Sequence, residues 1–464
     1  MIDLMENLIK YALKSDASYC DVRCQNIDSS TITVENGLLK SYETDRLIGI
    51  GIRVIVNHAL GLASSTVIEP KILKEKVAYA VKMAKIANKR AEDTILSEAK
   101  ALRDTLNSPF VKKPDSVSHE EKIAIALDAN EAAMLEDVKN SATRLGWFKE
   151  KKLLISSEGA EVGVETMMSG LSQFSVASYN GTMEFVSDSK SKCSGFEFIL
   201  STDWCSFTKE ISELALRAAR AKTPSAGTYR VVVDSDLIGL ILHEAFGHAS
   251  EGDLVITRES VLEGKLGQDI ASPLVTIIDD GEIENGYFLP YDDEGTEKTK
   301  QIIVKNGVLK GFLQSRETAY KMKTIPPGNA RAQNFGSKPI VRQSNFFMDR
   351  GDHSFEELVE DVDDGLYICG KGSRGGEVNV GLGTFTFRCG PSYVIKNGEI
   401  KEMIRGVSIS GLVLETLKSI NAVGKDFSIH TSIFGGCGKD GQIVRCGYGG
   451  PHVRIGKVSV GGGE

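Results

Sequence analysis

Apolar positions in the first half of the chain switch repeatedly between helical and strand spacing. Ile2, Met5, Leu8, Ile9 and Leu13 recur at near-helical intervals and predict a helix over residues 1 to about 18. TITVE and LLKSYE follow as strands joined by Asn36-Gly37, the dipeptide best suited to a two-residue hairpin turn. IGIGIRVIV and HALGLASST read as a further strand pair, and Glu69 to Arg90 as a helix with Pro70 in its first turn. Val117 to Met134 is another helix, rich in Ala and Glu. KKLLISSEG, ETMMSGLSQFSVASYN and GTMEFVSDS are strands, the last two meeting at Asn180-Gly181, and an amphipathic helix from Phe207 to Lys222 closes this half. The order predicts an α+β domain over residues 1–222, an antiparallel sheet with helices on one side.

The pattern changes after AKTPSAGTYR (Ala221 to Arg230), where Pro, Ser and Gly interrupt it. VVVDSD then leads into one strongly apolar helix, LIGLILHEAFGHASEGD (Leu237 to Asp253), with Ser235 or Asp236 available as its N-cap. Beyond it SPLVTIIDD, QIIVK, VLKGFL, TFTFRC, SYVIK, EIKEMI and HVRIGKVSV are strands, with hairpin turns at Asn306-Gly307 and Asn397-Gly398. SFEELVED and GLVLETLKSI are short helices. Residues 223–464 are thus expected to form a mainly β domain built around one core helix. Glycines crowd from Gly370 to Gly383 and from Gly435 to Gly463, marking turns or close backbone approach.

Composition narrows the function classes. The chain of 464 residues is 41% hydrophobic and 25% charged, ordinary values that argue against disorder. A net charge of −8 without a basic cluster argues against nucleic acid as a partner. The N-terminal MIDLMENLIKYALKSD is acidic and amphipathic, unlike a signal peptide, and no apolar run approaches the ~20 residues of a membrane span. Eight cysteines without a compact spacing framework suggest reduced thiols in a cytoplasm.

The core helix carries the candidate chemistry. His243, Glu244 and His248 stand at its end, where unpaired titratable groups would be costly to bury. The two His are five residues apart, which on a regular helix separates them by roughly 140° and points them away from a common ion. Gly247 precedes the second His, so the helix is expected to end or widen at Phe246 to Gly247, for instance through a π-type bulge. A catalytic zinc usually takes three protein ligands and leaves one position open. Cys437, set in FGGCGKDGQ, is a candidate third ligand, with Cys446 and His452 as competitors. Glu251 and Asp253 are either acceptors for an imidazole N–H or a solvated pair at the helix end. His58, His119, His353 and His430 read as surface or packing residues, and Cys20 and Cys24 lack the second pair a structural zinc needs. Gly375-Gly376 and Gly381 to Gly383 are either tight turns or part of a sheet edge able to accept an extended peptide.

HEAFGHASEGD together with GGCGKDGQ resembles the TldD/PmbA family of metallopeptidases, and specifically its metal-binding TldD branch. VENGLLKSYE, SSEG, DDEGT, ENGYF, KNGVLKGFLQ, PPGNARAQNF and SYVIKNGEI extend the likeness, in order, over essentially the whole chain. The resemblance implies that His243, His248 and Cys437 hold Zn²⁺ and that Glu244 is the general base. It further implies hydrolysis of small or unfolded peptides inside a dimer cavity, as a homodimer or with a PmbA/TldE-like paralogue. Two other readings stand beside it. One is a different zinc-dependent amide hydrolase; peptide deformylases share the residue types but have H-E-x-x-H spacing and shorter chains. The other is a metal-binding but non-catalytic partner subunit, whose structural site would have a fourth protein ligand such as Cys446 or His452.

Overall fold

The computed structural model describes residues 1–87, 93–373 and 375–462. Its first half is one seven-stranded sheet made from β1 (Tyr19–Glu35), β2 (Leu38–Val56), β3 (Ala59–Ser65), β4 (Arg103–Asn107), β5 (Val138–Ser156), β6 (Glu161–Tyr179) and β7 (Thr182–Lys192). The order is β3-β2-β1-β5-β6-β4, with β7 also on β6. Only β4 runs parallel to its neighbour, and the other pairings are antiparallel.

The α+β expectation for this half holds, helices on one side included. Cys20 and Val22 of β1 pack with α1 (Ile2–Lys14) and α2 (Pro70–Ala87). Ile32 and Val34, on the same face further along, pack with α3 (His119–Ala132) and α4 (Trp204–Arg220). Residues 88–90, the end expected for the second helix, lie outside the described residues, as does Gly463.

The opposite face of the sheet is buried too, but it is polar. Asp21, Arg23, Gln25, Arg53 and Glu150 are all shielded from solvent there. Arg53 pairs with Asp21 and with Glu294 of the second half, each at 2.6 Å, and Lys152 pairs with Asp293 at 3.3 Å. Buried charges of this kind persist because each meets an opposite charge or a hydrogen bond. They dock the first sheet onto the second half of the chain.

That second half is mainly β, as the strand-like runs predict. A nine-stranded sheet has Gly376–Asn379 at one edge, Gly227–Val233 near its centre and Glu399–Ile404 at the other edge. A six-stranded sheet contains Ile277–Asp279, Asn345–Met348, Gly447–Gly450 and Ser428–Thr431. Between the two sheets lies α5 (Ser235–Ile241), whose Leu237, Ile238 and Ile241 share one core with Val231, Ile409 and Val453 on one side and Ile277 and Phe346 on the other. The helix that carries the motif is therefore enclosed on both sides.

Candidate metal centre

The N-cap of α5 is Asp234, not Ser235 or Asp236. Its carboxylate accepts from the Leu237 N–H at 2.8 Å and from the Gly370 N–H at 2.8 Å. The preceding strand ends at Val233, so Asp234 is the first residue free to turn, and Asp236 is left to point elsewhere. α5 packs directly on a strand backbone: a Cβ at Gly239 would lie 2.7 Å from the Gly449 Cα. The glycines of GYGG make that approach possible from the other side.

After Ile241 the helix widens into a π turn over Leu242–Gly247, then tightens into a 3₁₀ turn over His248–Ser250. The widening brings the imidazoles of His243 and His248 to 5.5 Å between ring centres. It also displaces a backbone carbonyl, and Gln343 Nε2 donates to His243 O at 3.0 Å. A Cβ at Gly247 would stand 2.2 Å from the Gln343 Oε1, so a larger residue there would push against the side chain that bonds His243 O, although the backbone of Gly247 is ordinary helix.

Cys437 arrives on a hairpin, Cys437–Lys439 paired with Gln442–Val444 through a left-handed Asp440-Gly441 turn. Its Sγ lies 3.1 Å from His248 Nε2. One ligand atom each from His243, His248 and Cys437 falls within 4.8 Å of the others, all three residues being buried. Among the described residues this is the one grouping of His, Cys, Asp and Glu close enough to hold an ion.

The donor set fits zinc, a borderline-soft ion that favours imidazole and thiolate in small tetrahedral sites. His243 Nδ1 is buried with no hydrogen-bond partner among the described residues, as a ring nitrogen kept for an ion would be. The Cys437 thiol is held far below its ordinary range, first by the Cys446 thiol donating to it and then, against burial, by the neighbouring imidazoles. Burial opposes a charge on His248, but Glu251 and the Cys437 sulfur outweigh it and hold that imidazole above its usual value.

Around the three candidate donors lies a fixed set of partners. Glu251, fully buried, faces His248 Nδ1 at 3.2 Å and takes Lys439 Nζ at 2.9 Å. Of the two roles open to Glu251 and Asp253, Glu251 thus takes the imidazole N–H. Asp253 pairs with Lys439 at 2.6 Å. Arg342 donates to the Cys437 carbonyl. Removing such partners of ligands commonly weakens metal binding about 10–100-fold. Glu251→Gln is expected to raise the zinc dissociation constant by about that factor, measured by competition with a chelator.

The competitors stand apart. His452 is held by Asp426 at 2.7 Å and by the Tyr367 hydroxyl at 3.1 Å, outside the triad. Cys446 touches Cys437 from behind, in a small cluster with Val444, without joining the group. Gly381 to Gly383 form the bend between two strands, whereas Gly376–Asn379 is the outermost strand of its sheet.

Three sequence models of the PmbA/TldA metallopeptidase family match the chain: domain 1 over residues 20–87, the central domain over 112–222 and the C-terminal domain over 226–462. The chain belongs to this family. It is thereby placed among the peptidases, hydrolases of peptide bonds. A relative from Methanothermobacter thermautotrophicus named "Metalloprotease" is 38% identical over 97% of this chain and 97% of its own length. A "Zinc metalloprotease TldD homolog" from Saccharolobus solfataricus is 28% identical over 99% of this chain and all of its own length. The fold is shared with the crystal structure of TldE from Thermococcus kodakarensis, with a TM-score of 0.79 at 21% identity over 99% of this chain and 100% of that one.

Two features of this PmbA/TldA family member escape a reading of its sequence. Glu244 is the only residue from His243 to His248 that is not buried, and a cleft of about 440 Å³ opens between the two halves beside the preceding helical turns. Leu240, one turn earlier, lines that cleft together with Arg144, Asp188, Asp236 and Tyr448. So does His430, expected to be an ordinary surface residue; it is paired with Asp236 and partly shielded. Nothing local in FSIHTS signals that pairing, because Asp236 lies on a distant segment.

Proposed function

We propose that the chain is a zinc-dependent peptidase in which His243, His248 and Cys437 hold the ion and Glu244 is the general base. The observation that carries the reading is the buried convergence of three metal-type donors beside Glu244, the one residue of the His243–His248 turn that is not buried. A structural zinc would want a fourth protein ligand, and Cys446 and His452 lie outside the group, which supports a catalytic role. When bound, zinc supplies Lewis acidity, polarising a peptide carbonyl and acidifying water. Glu244 takes the proton of the attacking water and delivers it to the departing amine. Glu251, through His248 Nδ1, holds one ligand ring in register.

The substrates proposed are small or unfolded peptides. An extended chain can reach a narrow cleft and can add to the outer Gly376–Asn379 strand through main-chain hydrogen bonds. The assembly proposed is a dimer, of two copies or with a PmbA/TldE-like paralogue, in a cytoplasmic setting. No described helix is long and apolar enough to cross a membrane, and all eight cysteines are free thiols. The reading is tested by chelation. Cleavage of an unstructured peptide is expected to disappear when zinc is stripped and to return when stoichiometric zinc is restored. Full activity of the stripped protein contradicts it.

A further inference from the structure

The cleft wall beside the His/His/Cys triad carries two hydrogen-bond donors that the proposed mechanism does not yet use. Tyr448 and His430 are directly opposed residues on neighbouring antiparallel strands, so their side chains stand on one face of the sheet, with ring centres 6.2 Å apart. The Tyr448 ring lies 5.9 Å from that of His243. Tyr448 thus neighbours both His243 and His430, and both Tyr448 and His430 line the cavity.

Neither donor is spent within the protein. Among the described residues no group hydrogen-bonds the Tyr448 hydroxyl, although the side chain is largely enclosed. His430 uses Nε2 for its contacts, to the Asp236 carboxylate and to Ser428 Oγ at 3.1 Å, and its Nδ1 has no partner among the described residues. Asp236 comes from the first turn of α5, the same helix that delivers His243 and Glu244. It fixes His430 on the cleft wall. Burial opposes a charge on the imidazole, but Asp236, with Asp188 and Asp234 behind it, raises its pKa above the ordinary value. Nδ1 then carries a proton that no described residue accepts. A phenol, with an ordinary pKa of about 10, is a hydrogen-bond donor at neutral pH.

We propose that Tyr448 and His430 are further catalytic residues, donating hydrogen bonds to the carbonyl oxygen of the scissile peptide as negative charge develops on it. The proposal rests on the peptidase reading above. As water attacks the carbonyl carbon, the C=O π pair moves onto oxygen and Glu244 takes the water's proton. The oxygen is met by the Tyr448 O–H and the His430 Nδ1–H. Collapse re-forms C=O, breaks the C–N bond and returns the proton from Glu244 to the amine. Donors already in place where charge appears need no reorganisation, and loss of one such donor typically costs about 10²–10³ in rate.

The test uses zinc-loaded full-length protein, wild type, Tyr448→Phe and His430→Asn, with two ligands besides a cleavable peptide. One is a phosphonamidate peptide that mimics the tetrahedral anion, and the other is an uncleavable reduced-amide peptide of the same sequence. Tyr448→Phe is expected to lower kcat about 10²-fold with KM within about 2-fold, and to weaken phosphonamidate binding by a similar factor. His430→Asn should act in the same direction. Zinc content and reduced-amide affinity should stay at wild-type values. Unchanged kcat in both variants, equal weakening of both probes, or loss of zinc would each overturn the assignment. Absence of cleavage by the wild-type protein would instead overturn the peptidase reading on which it stands.

Discussion

Glu244→Gln is expected to lower peptide cleavage by about 10²–10⁴-fold while zinc content stays at the wild-type level. The substitution preserves shape and hydrogen-bonding reach but removes the basic oxygen. Glu244 is the one residue from His243 to His248 that is not buried, and the residues flanking it are buried against the core that α5 shares with both sheets. Gln should therefore sit in the same place without disturbing the π turn. KM should change little, because the carboxylate acts on the attacking water and not on the bound peptide. Single-turnover cleavage beside metal analysis checks both halves of the statement. Substantial turnover with full zinc would remove Glu244 from its role.

The second large effect is on the metal. Cys437→Ala should leave a protein that folds but retains little zinc, because the hairpin that carries Cys437 is held by other groups. Lys439 binds Glu251 and Asp253, and Arg342 binds the Cys437 carbonyl. None of these contacts uses the thiol. Two imidazoles alone make a poor zinc site, and in the wild type the thiolate is stabilised by the Cys446 thiol as well as by the imidazoles. Cys446 lies close behind the third position, so a Cys446→Ala control separates its supporting role from ligation. It should weaken zinc binding far less than Cys437→Ala.

The motif could be read from sequence because its irregularity carried information. Five-residue spacing with Gly before the second His is incompatible with a regular helix, and the π turn over Leu242–Gly247 resolves it. The strands joined at Asn36-Gly37 and Asn180-Gly181 were legible for a similar reason, since both Asn residues adopt the positive φ that such turns demand. The length of the strands was not. β2 runs unbroken for 19 residues where LLKSYE and IGIGIRVIV suggest two strands, and β1 begins at Tyr19, well before TITVE. Around Tyr19 to Gln25 and Gly49 to Val56 alternation fails because the second face of the sheet is also buried, with ion pairs on it, whereas Leu38 to Ile48 lies largely in solvent and has no buried face to impose a period. Arg53 looks like a solvent-facing residue until Glu294 meets it. The same blindness hid His430, whose significance depends on Asp236, and Lys439, which links the cysteine hairpin to Glu251. Pairings across long sequence separations leave no local period to detect.

The most direct test of the central claim is zinc per chain, measured together with cleavage of an unstructured peptide, for wild type, Glu244→Gln and Cys437→Ala. About one zinc and cleavage are expected in the wild type, about one zinc without cleavage in Glu244→Gln, and neither in Cys437→Ala. Zinc retained in full by Cys437→Ala, or cleavage by any variant without zinc, would contradict that claim.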